Sequence, residues 1–244
     1  MGVRGVAVVT GGSKGIGAAV SKRMGAEGYN VLLTYNESSN YAEKVVDEIR
    51  SSGGDAVAVK VDCSLPDEIM ILAEHPWIAN GVDVLVLNHG RYQRIPSDKL
   101  NFKQLRSTMA TNFDGTFLVW ESIAPHLEKD ARIVVIGSQL AIRGSPHGAD
   151  YSASKGALHA WARSLAQAVG PQGQRVNVIA PGFVDTSILA GDSSEKRKQR
   201  EEEVPLKRIG TPEDISGVVS FLIGTDSSYV NGAVIHVNGG LYLP

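Results

Sequence analysis

Short apolar runs rich in β-branched residues recur along the whole chain, at Gly5–Thr10, Asn30–Tyr35, Ala56–Val61, Val82–Leu87, Arg132–Gly137, Arg175–Ile179 and Ala233–Val237. Residues 84–87 and 133–136 are apolar at every position, the pattern of strands buried on both faces. Segments of helical spacing lie between the runs. Gly15–Gly28 ends on a glycine, Tyr41–Ser52 runs into Gly53-Gly54, and Ala149–Val169 stops before Gly170-Pro171, all good helix stops. Strand and helix alternating in this way predict an α/β fold with a doubly wound parallel sheet of about seven strands and helices on both faces. No linker, low-complexity tract or repeat interrupts the pattern, so one domain over residues 1–244 is expected.

Composition narrows the function. The 244 residues are 43% hydrophobic, enough for a large core, and carry a net charge of -2 from 24 basic and 26 acidic side chains. A nucleic-acid partner normally requires a basic excess. The one cysteine, Cys63, excludes an internal disulfide and a cysteine-built metal site. The first apolar run breaks at once into glycines, unlike a signal peptide. No stretch reaches the ~20 apolar residues that span a bilayer. A cytoplasmic protein without a membrane partner is the expectation.

The loop Thr10-Gly11-Gly12-Ser13-Lys14-Gly15-Ile16-Gly17 follows a strand and opens a helix, the context a phosphate-binding glycine loop requires. Glycines let the backbone turn sharply and approach a pyrophosphate, and the first helix amides favour an anion. An acid at the tip of the second strand would grip a ribose 2′-hydroxyl and select NAD. Here the strand runs Val31-Leu32-Leu33-Thr34-Tyr35-Asn36 with no acid. Lys14 is placed to reach a 2′-phosphate, with Asn36 and Ser38 as donors. NADP(H) is therefore favoured, and NAD(H) stays open because Glu37 is one residue past the tip.

Tyr151 and Lys155 are one helical turn apart and share a face. An unperturbed tyrosine, with a pKa of ~10, is a poor base at neutral pH, and a nearby ammonium is expected to lower that value. The phenol can then exchange a proton with a substrate oxygen near neutrality. Ser138 ends an apolar strand and can hydrogen-bond the same oxygen.

In this order and at these spacings the motifs resemble the short-chain dehydrogenase/reductase family over nearly the whole chain. The resemblance implies a Rossmann-like fold and a catalytic set of Asn112, Ser138, Tyr151 and Lys155. It implies cofactor contacts at Gly11, Ser13, Lys14, Gly15, Ile16 and Gly17, and at Tyr35, Asn36, Asp62 and Cys63 on strand tips. Others are Asn88-His89-Gly90, Tyr151 and Lys155 again, and Pro181, Gly182, Val184 and Thr186. Asn112 is implied to hold a water in a proton chain and Lys155 to hold ribose hydroxyls as well; no metal is required. One position departs from the family, which usually has alanine where this chain has His89. Its backbone contacts need no particular side chain, and an imidazole there can narrow the site or add a hydrogen bond.

The stretch Pro205-Leu206-Lys207-Arg208-Ile209-Gly210-Thr211-Pro212-Glu213-Asp214-Ile215 and the ending His236-Val237-Asn238-Gly239-Gly240-Leu241-Tyr242 are similar to the 3-oxoacyl-(acyl carrier protein) reductase branch. That resemblance implies NADPH-dependent reduction of a 3-oxoacyl thioester, a step of fatty acid biosynthesis, with acyl carrier protein as a partner. A sugar, polyol or other secondary-alcohol dehydrogenase is the alternative, and a non-catalytic nucleotide sensor on the same fold is a third class. Arg91, Arg94 and Arg143 fall in loops on the ligand side, either to attract an acidic carrier or as solvated arginines. Residues 91–100 read as a loop, and the segment near 183–204 as a substrate loop or lid. A homotetramer is implied by the family; Leu118, Val119, Trp120, Leu158 and Trp161 could supply its surface or equally face the core.

Overall fold

The computed structural model describes residues 4–244. The strands are β1 (Val6–Val9), β2 (Asn30–Tyr35), β3 (Asp55–Lys60), β4 (Val82–Leu87), β5 (Leu127–Ile136), β6 (Arg175–Pro181) and β7 (Val234–Val237). They form one parallel sheet in the order β3-β2-β1-β4-β5-β6-β7. The order reverses between β1 and β4, and in such sheets the crevice beyond the carboxyl ends at that point receives ligands.

Side chains of period two divide between the sheet's faces. Val84, Val86, Val134 and Ile136 enter a core closed by α1 (Gly15–Ala26), α2 (Ser39–Ser51) and a helix at Pro212–Ile223. Leu85, Leu87, Ile133 and Val135 enter the opposite core. That one is closed by α3 (Pro66–Ala73), α4 (Pro76–Ala79), α6 (Gly115–Ile123) and α8 (Ala149–Val169). Between them in the chain lie α5 (Phe102–Met109) and α7 (Leu140–Arg143), and beyond α8 lie α9 (Ser194–Glu203) and the Pro212–Ile223 helix, α10. The stretches 84–87 and 133–136 are thus apolar at every position because both faces are covered.

The expected strands match the observed ones closely, but β5 begins at Leu127, five residues early, across a register irregularity opposite Val82 and Val84. Glu128, Lys129 and Asp130 are exposed there, so that extension has no apolar signature. Of the residues that could face either an assembly surface or the core, Val119 and Leu158 belong to the core. Leu118, Trp120 and Trp161 are half-buried.

Candidate active site

The residues singled out from the sequence gather at the carboxyl ends of the strands. The glycine loop follows β1, Asn88-His89-Gly90 follows β4, Ser138 follows β5, and Pro181 ends β6. Gly11 has φ +62°, a left-handed conformation natural to glycine, and its amide donates to Thr34 Oγ1 at 3.1 Å. A Cβ on Gly17 would strike the Gly11 carbonyl oxygen, so the loop folds tightly onto the start of α1. Asn88 Nδ2 donates to the carbonyl oxygens of Thr10 and Gly11, both at 3.0 Å, clamping the loop to β4. Ser13 is buried, and Ile16 packs on the core below. Thr186 lies against Gly15, and Val184 is buried and bridged to Gly210.

The amino end of α1 has no side-chain cap and no acid in its first turn. Its leading amides are therefore without intrahelical partners and favour an anion. That is the fit a dinucleotide pyrophosphate needs. Lys14 Nζ stands 4.3 Å from the centroid of the Tyr41 ring, a cation–π contact on α2. Tyr35 is half-buried, and Asn36 and Glu37 are exposed. Asn36 Nδ2 donates to Asp62 Oδ2 at 3.0 Å. Asp62 Oδ1 accepts from the amide and hydroxyl of Ser64 at 2.8 and 2.7 Å. Burial opposes ionisation of Asp62, but the Ser64 and Asn36 hydrogen bonds outweigh it and hold the carboxyl below its usual range. The Cys63 side chain is buried in the core, with its thiol pushed up to about 12 by burial. Only its backbone can face a cofactor.

Tyr151 and Lys155 occupy successive turns of α8. The Tyr151 hydroxyl neighbours Ser138, whose Oγ accepts from the Leu140 amide at 3.1 Å. Lys155 is 3% exposed, and its Nζ donates to the Ile136 carbonyl at 2.7 Å. The expected lowering of the tyrosine pKa is not found. Burial pushes Tyr151 up to about 12, against the opposing influence of the Ser138 hydroxyl and with a smaller contribution from Tyr92. Burial likewise pushes Lys155 down to about 8. The ammonium is turned to Ile136 and lies 5.7 Å from the Tyr151 ring centroid, so desolvation decides both values. Tyr151 is thus a phenol that holds its proton at neutral pH.

Asn112 lies in a π-helical turn, Ala110–Asp114, between α5 and α6, a local irregularity frequent at functional sites. Its Oδ1 accepts from the Arg91 amide at 2.8 Å. Its Nδ2 donates to the Arg91 carbonyl and to Ser154 Oγ, both at 3.0 Å. Gly90 sits where a Cβ would approach Asn112 Oδ1 at 3.3 Å and Lys155 Nζ at 3.6 Å. The structure therefore brings Asn112, Ser138, Tyr151 and Lys155 together around the crevice.

Known proteins share this arrangement. Residues 11–242 match the family model described as enoyl-(acyl carrier protein) reductase. An uncharacterized oxidoreductase of Methylorubrum extorquens is 38% identical over 242 residues, 97% of each chain. The 3-oxoacyl-(acyl carrier protein) reductase of Aquifex aeolicus is 35% identical over 97% of each chain. The structure of a short chain dehydrogenase from Burkholderia cenocepacia in complex with NADP matches with a TM-score of 0.90 and 33% identity, over 96% of each chain. The chain belongs to the short-chain dehydrogenase/reductase family. It is an oxidoreductase, and the sensor reading is set aside. Among the described residues no helix is long and apolar enough to cross a membrane.

Sequence reasoning passed over two parts of this dehydrogenase/reductase. Tyr92 packs edge-on against Tyr151; an aromatic just past the Asn-x-Gly element was the available signal. Asp192 joins the loop after β4 to the segment after β6, through Arg94 at 3.8 Å and Arg200. The arginines expected to attract an acidic partner are partly engaged, since Arg91 Nη1 also donates to Ser107 Oγ at 2.7 Å. His89 is buried, with Nδ1 2.8 Å from Thr10 Oγ1 and Nε2 3.4 Å from Thr116 Oγ1.

Proposed function

We propose that this oxidoreductase uses NADPH to reduce a 3-oxoacyl thioester to the 3-hydroxyacyl form. The observation that carries the reading is the Ser138–Tyr151 pair beside the buried Lys155, at the carboxyl ends of the strands. A bound nicotinamide supplies the hydride. Ser138 and Tyr151 hold the carbonyl oxygen, and Tyr151 gives it a proton as negative charge develops there. Lys155 keeps positive charge next to that phenol, and Asn112 fixes the turn of backbone at Arg91. Lys14, on the rim by Tyr41, supplies a cation suited to a 2′-phosphate, and no acid ends β2. The similarity to the Aquifex aeolicus reductase supports the thioester substrate and an acyl carrier protein as its carrier. Residues 183–204 form the lid, with substrate between it and the loop at 91–100. The half-buried aromatics Phe117, Trp120 and Trp161 pack on one another with centroids 5.8 to 6.3 Å apart. They support assembly as a homotetramer through α6 and α8.

A second reading, oxidation of a sugar, polyol or other secondary alcohol, is favoured by Tyr92. Its ring narrows the approach to Tyr151, which suits a compact substrate. The deciding experiment is the loss of nicotinamide absorbance with acetoacetyl-CoA, using NADPH and NADH in parallel. Rapid oxidation of NADPH alone is expected. A preference for NADH would assign the ribose to Glu37. No turnover with either, despite cofactor binding, would move the activity to the alcohol reading, tested with a polyol panel in the oxidative direction. Tyr151→Phe is expected to lower kcat by roughly 10²- to 10⁴-fold with cofactor affinity retained. Lys155→Ala is expected to lose both.

A further inference from the structure

Helix α8 carries the machinery one turn beyond Lys155. Tyr151, Lys155 and His159 follow one another at i, i+4 spacing and share a face. Both Lys155 and His159 grip the end of β5. Lys155 Nζ donates to the Ile136 carbonyl at 2.7 Å, and the Ser138 amide donates to His159 Nε2 at 3.4 Å. Gly137, between them, lies against the imidazole, and a Cβ there would strike Nε2. The neighbouring amides are taken by β6: Gly137 N–H by the Ile179 carbonyl at 2.8 Å and Gln139 N–H by the Pro181 carbonyl at 3.1 Å. The Ser138 amide is thus left to His159.

We propose that His159 is a positioning residue for Ser138: its Nε2 lone pair holds the Ser138 amide and so fixes the serine hydroxyl against Tyr151. The inference rests on Ser138 acting at the substrate oxygen. It requires the tautomer with the proton on Nδ1, and Nδ1 is buried without a hydrogen-bond partner among the described residues. His159 is 3% exposed. Burial, then the positive charges of Arg163 and Lys155 and the nearby His236, push its pKa down to about 4, so Nε2 stays an acceptor at neutral pH. An unpartnered buried N–H is unfavourable, which makes the packing of the imidazole under Gly137 hard to explain by stability alone.

The test compares His159→Leu, which fills the space without an acceptor, with His159→Gln, which returns an acceptor oxygen near the Nε2 position. His159→Leu is expected to lose roughly tenfold to a hundredfold in kcat with the NADPH dissociation constant unchanged, and His159→Gln to recover most of it. Wild-type turnover in His159→Leu, or no recovery in a folded His159→Gln, would overturn the proposal. Long-range proton–nitrogen NMR of the wild-type imidazole decides independently of any substrate. The Nδ1–H tautomer is expected, and the Nε2–H tautomer would overturn the proposal even if His159→Leu does not fold. Failure of the catalytic reading itself would appear as full turnover in Tyr151→Phe, which leaves this tautomer untouched.

Discussion

Tyr92 meets Tyr151 edge to face, with ring centroids 5.1 Å apart and planes at 75°. Its hydroxyl donates to the His147 carbonyl at 2.9 Å, and its ring covers Gly148, where a Cβ would come within 2.7 Å of Cε2. The loop after β4 and the start of α8 are thereby joined at Tyr151. Edge-to-face pairs of this kind contribute about 1 kcal/mol, a contact a substrate can displace. Tyr92→Ala is expected to open the approach, raising kcat/KM for long 3-oxoacyl thioesters relative to small ketones while leaving cofactor affinity unchanged. The check is kcat/KM across substrates of increasing size. An unchanged ranking would remove Tyr92 from the substrate wall.

Lys155 sets a limit on the alkaline side. Its pKa in the folded chain, about 8 against an ordinary 10.5, means the ammonium is lost as pH rises through about 8. Tyr151, at about 12, keeps its proton there. Reduction is therefore expected to lose turnover above pH 8 through Lys155. Stability moves the other way. Between the two Lys155 values the unfolded chain binds the extra proton, so unfolding becomes harder as pH rises. Burying the charge at neutral pH costs about 3 kcal/mol, and its bond to Ile136 returns about 2 kcal/mol. Lys155→Met is expected to melt within a few degrees of wild type while losing turnover, measured by calorimetry and a pH–rate series.

Asp192 ties the segment after β6 to the loop after β4. Its carboxylate, with 8% side-chain exposure, is bonded to Arg200 and lies 3.8 Å from Arg94, while Arg200 also covers the Phe183 ring at 4.4 Å. The Arg200 hydrogen bond outweighs burial and lowers the Asp192 pKa, so this tie is present at neutral pH and is lost as pH falls through that lowered value. Asp192→Asn is expected to raise KM severalfold and to speed tryptic cleavage within α9. Arg94→Ala should do less, because that contact is longer and its arginine half exposed. Equal digestion rates in wild type and Asp192→Asn would disprove the tie.

Strand positions were legible because burial on both faces leaves an uninterrupted apolar mark, as in Val84–Leu87 and Ile133–Ile136. The helix at α10 had a readable start, since Thr211 and Asp214 form a reciprocal capping box with Pro212 in the first turn, yet those residues register first as a family likeness. The π-turn holding Asn112 has no local sequence signal; it forms because tertiary hydrogen bonds to Arg91 and Ser154 reward it. Motif spacing located Ser138, Tyr151 and Lys155, but not the sign of the tyrosine shift. Charge order along a helix does not show that Lys155 turns to Ile136 or how deeply Tyr151 lies. Nor does it show Asp192, whose partners are brought together only by the folded loops.

His89 ties the glycine loop to α6 and makes the fold acid-sensitive. Its ring lies between Thr10 Oγ1 and Thr116 Oγ1, and the Thr10 hydroxyl oxygen also accepts from the amides of Asn88 and His89 at 2.9 and 3.2 Å. Burial first, and the Lys155 charge second, push the imidazole down to about 4 from 6.5. Below 6.5 the unfolded chain takes up a proton that the folded chain refuses, so stability is greatest above that pH and declines toward 4. The loss from this residue is about 3 kcal/mol, and His159, also at about 4, adds to it. His89→Ala is expected to unfold more easily at neutral pH, since it leaves a cavity and removes the ring's contacts with the Thr10 and Thr116 hydroxyls. Its stability should nevertheless fall less steeply between pH 6.5 and 4 than that of wild type. Urea titrations at a series of pH values measure both slopes; parallel curves would mean that His89 is protonated in the folded chain, with its network rearranged around the charge.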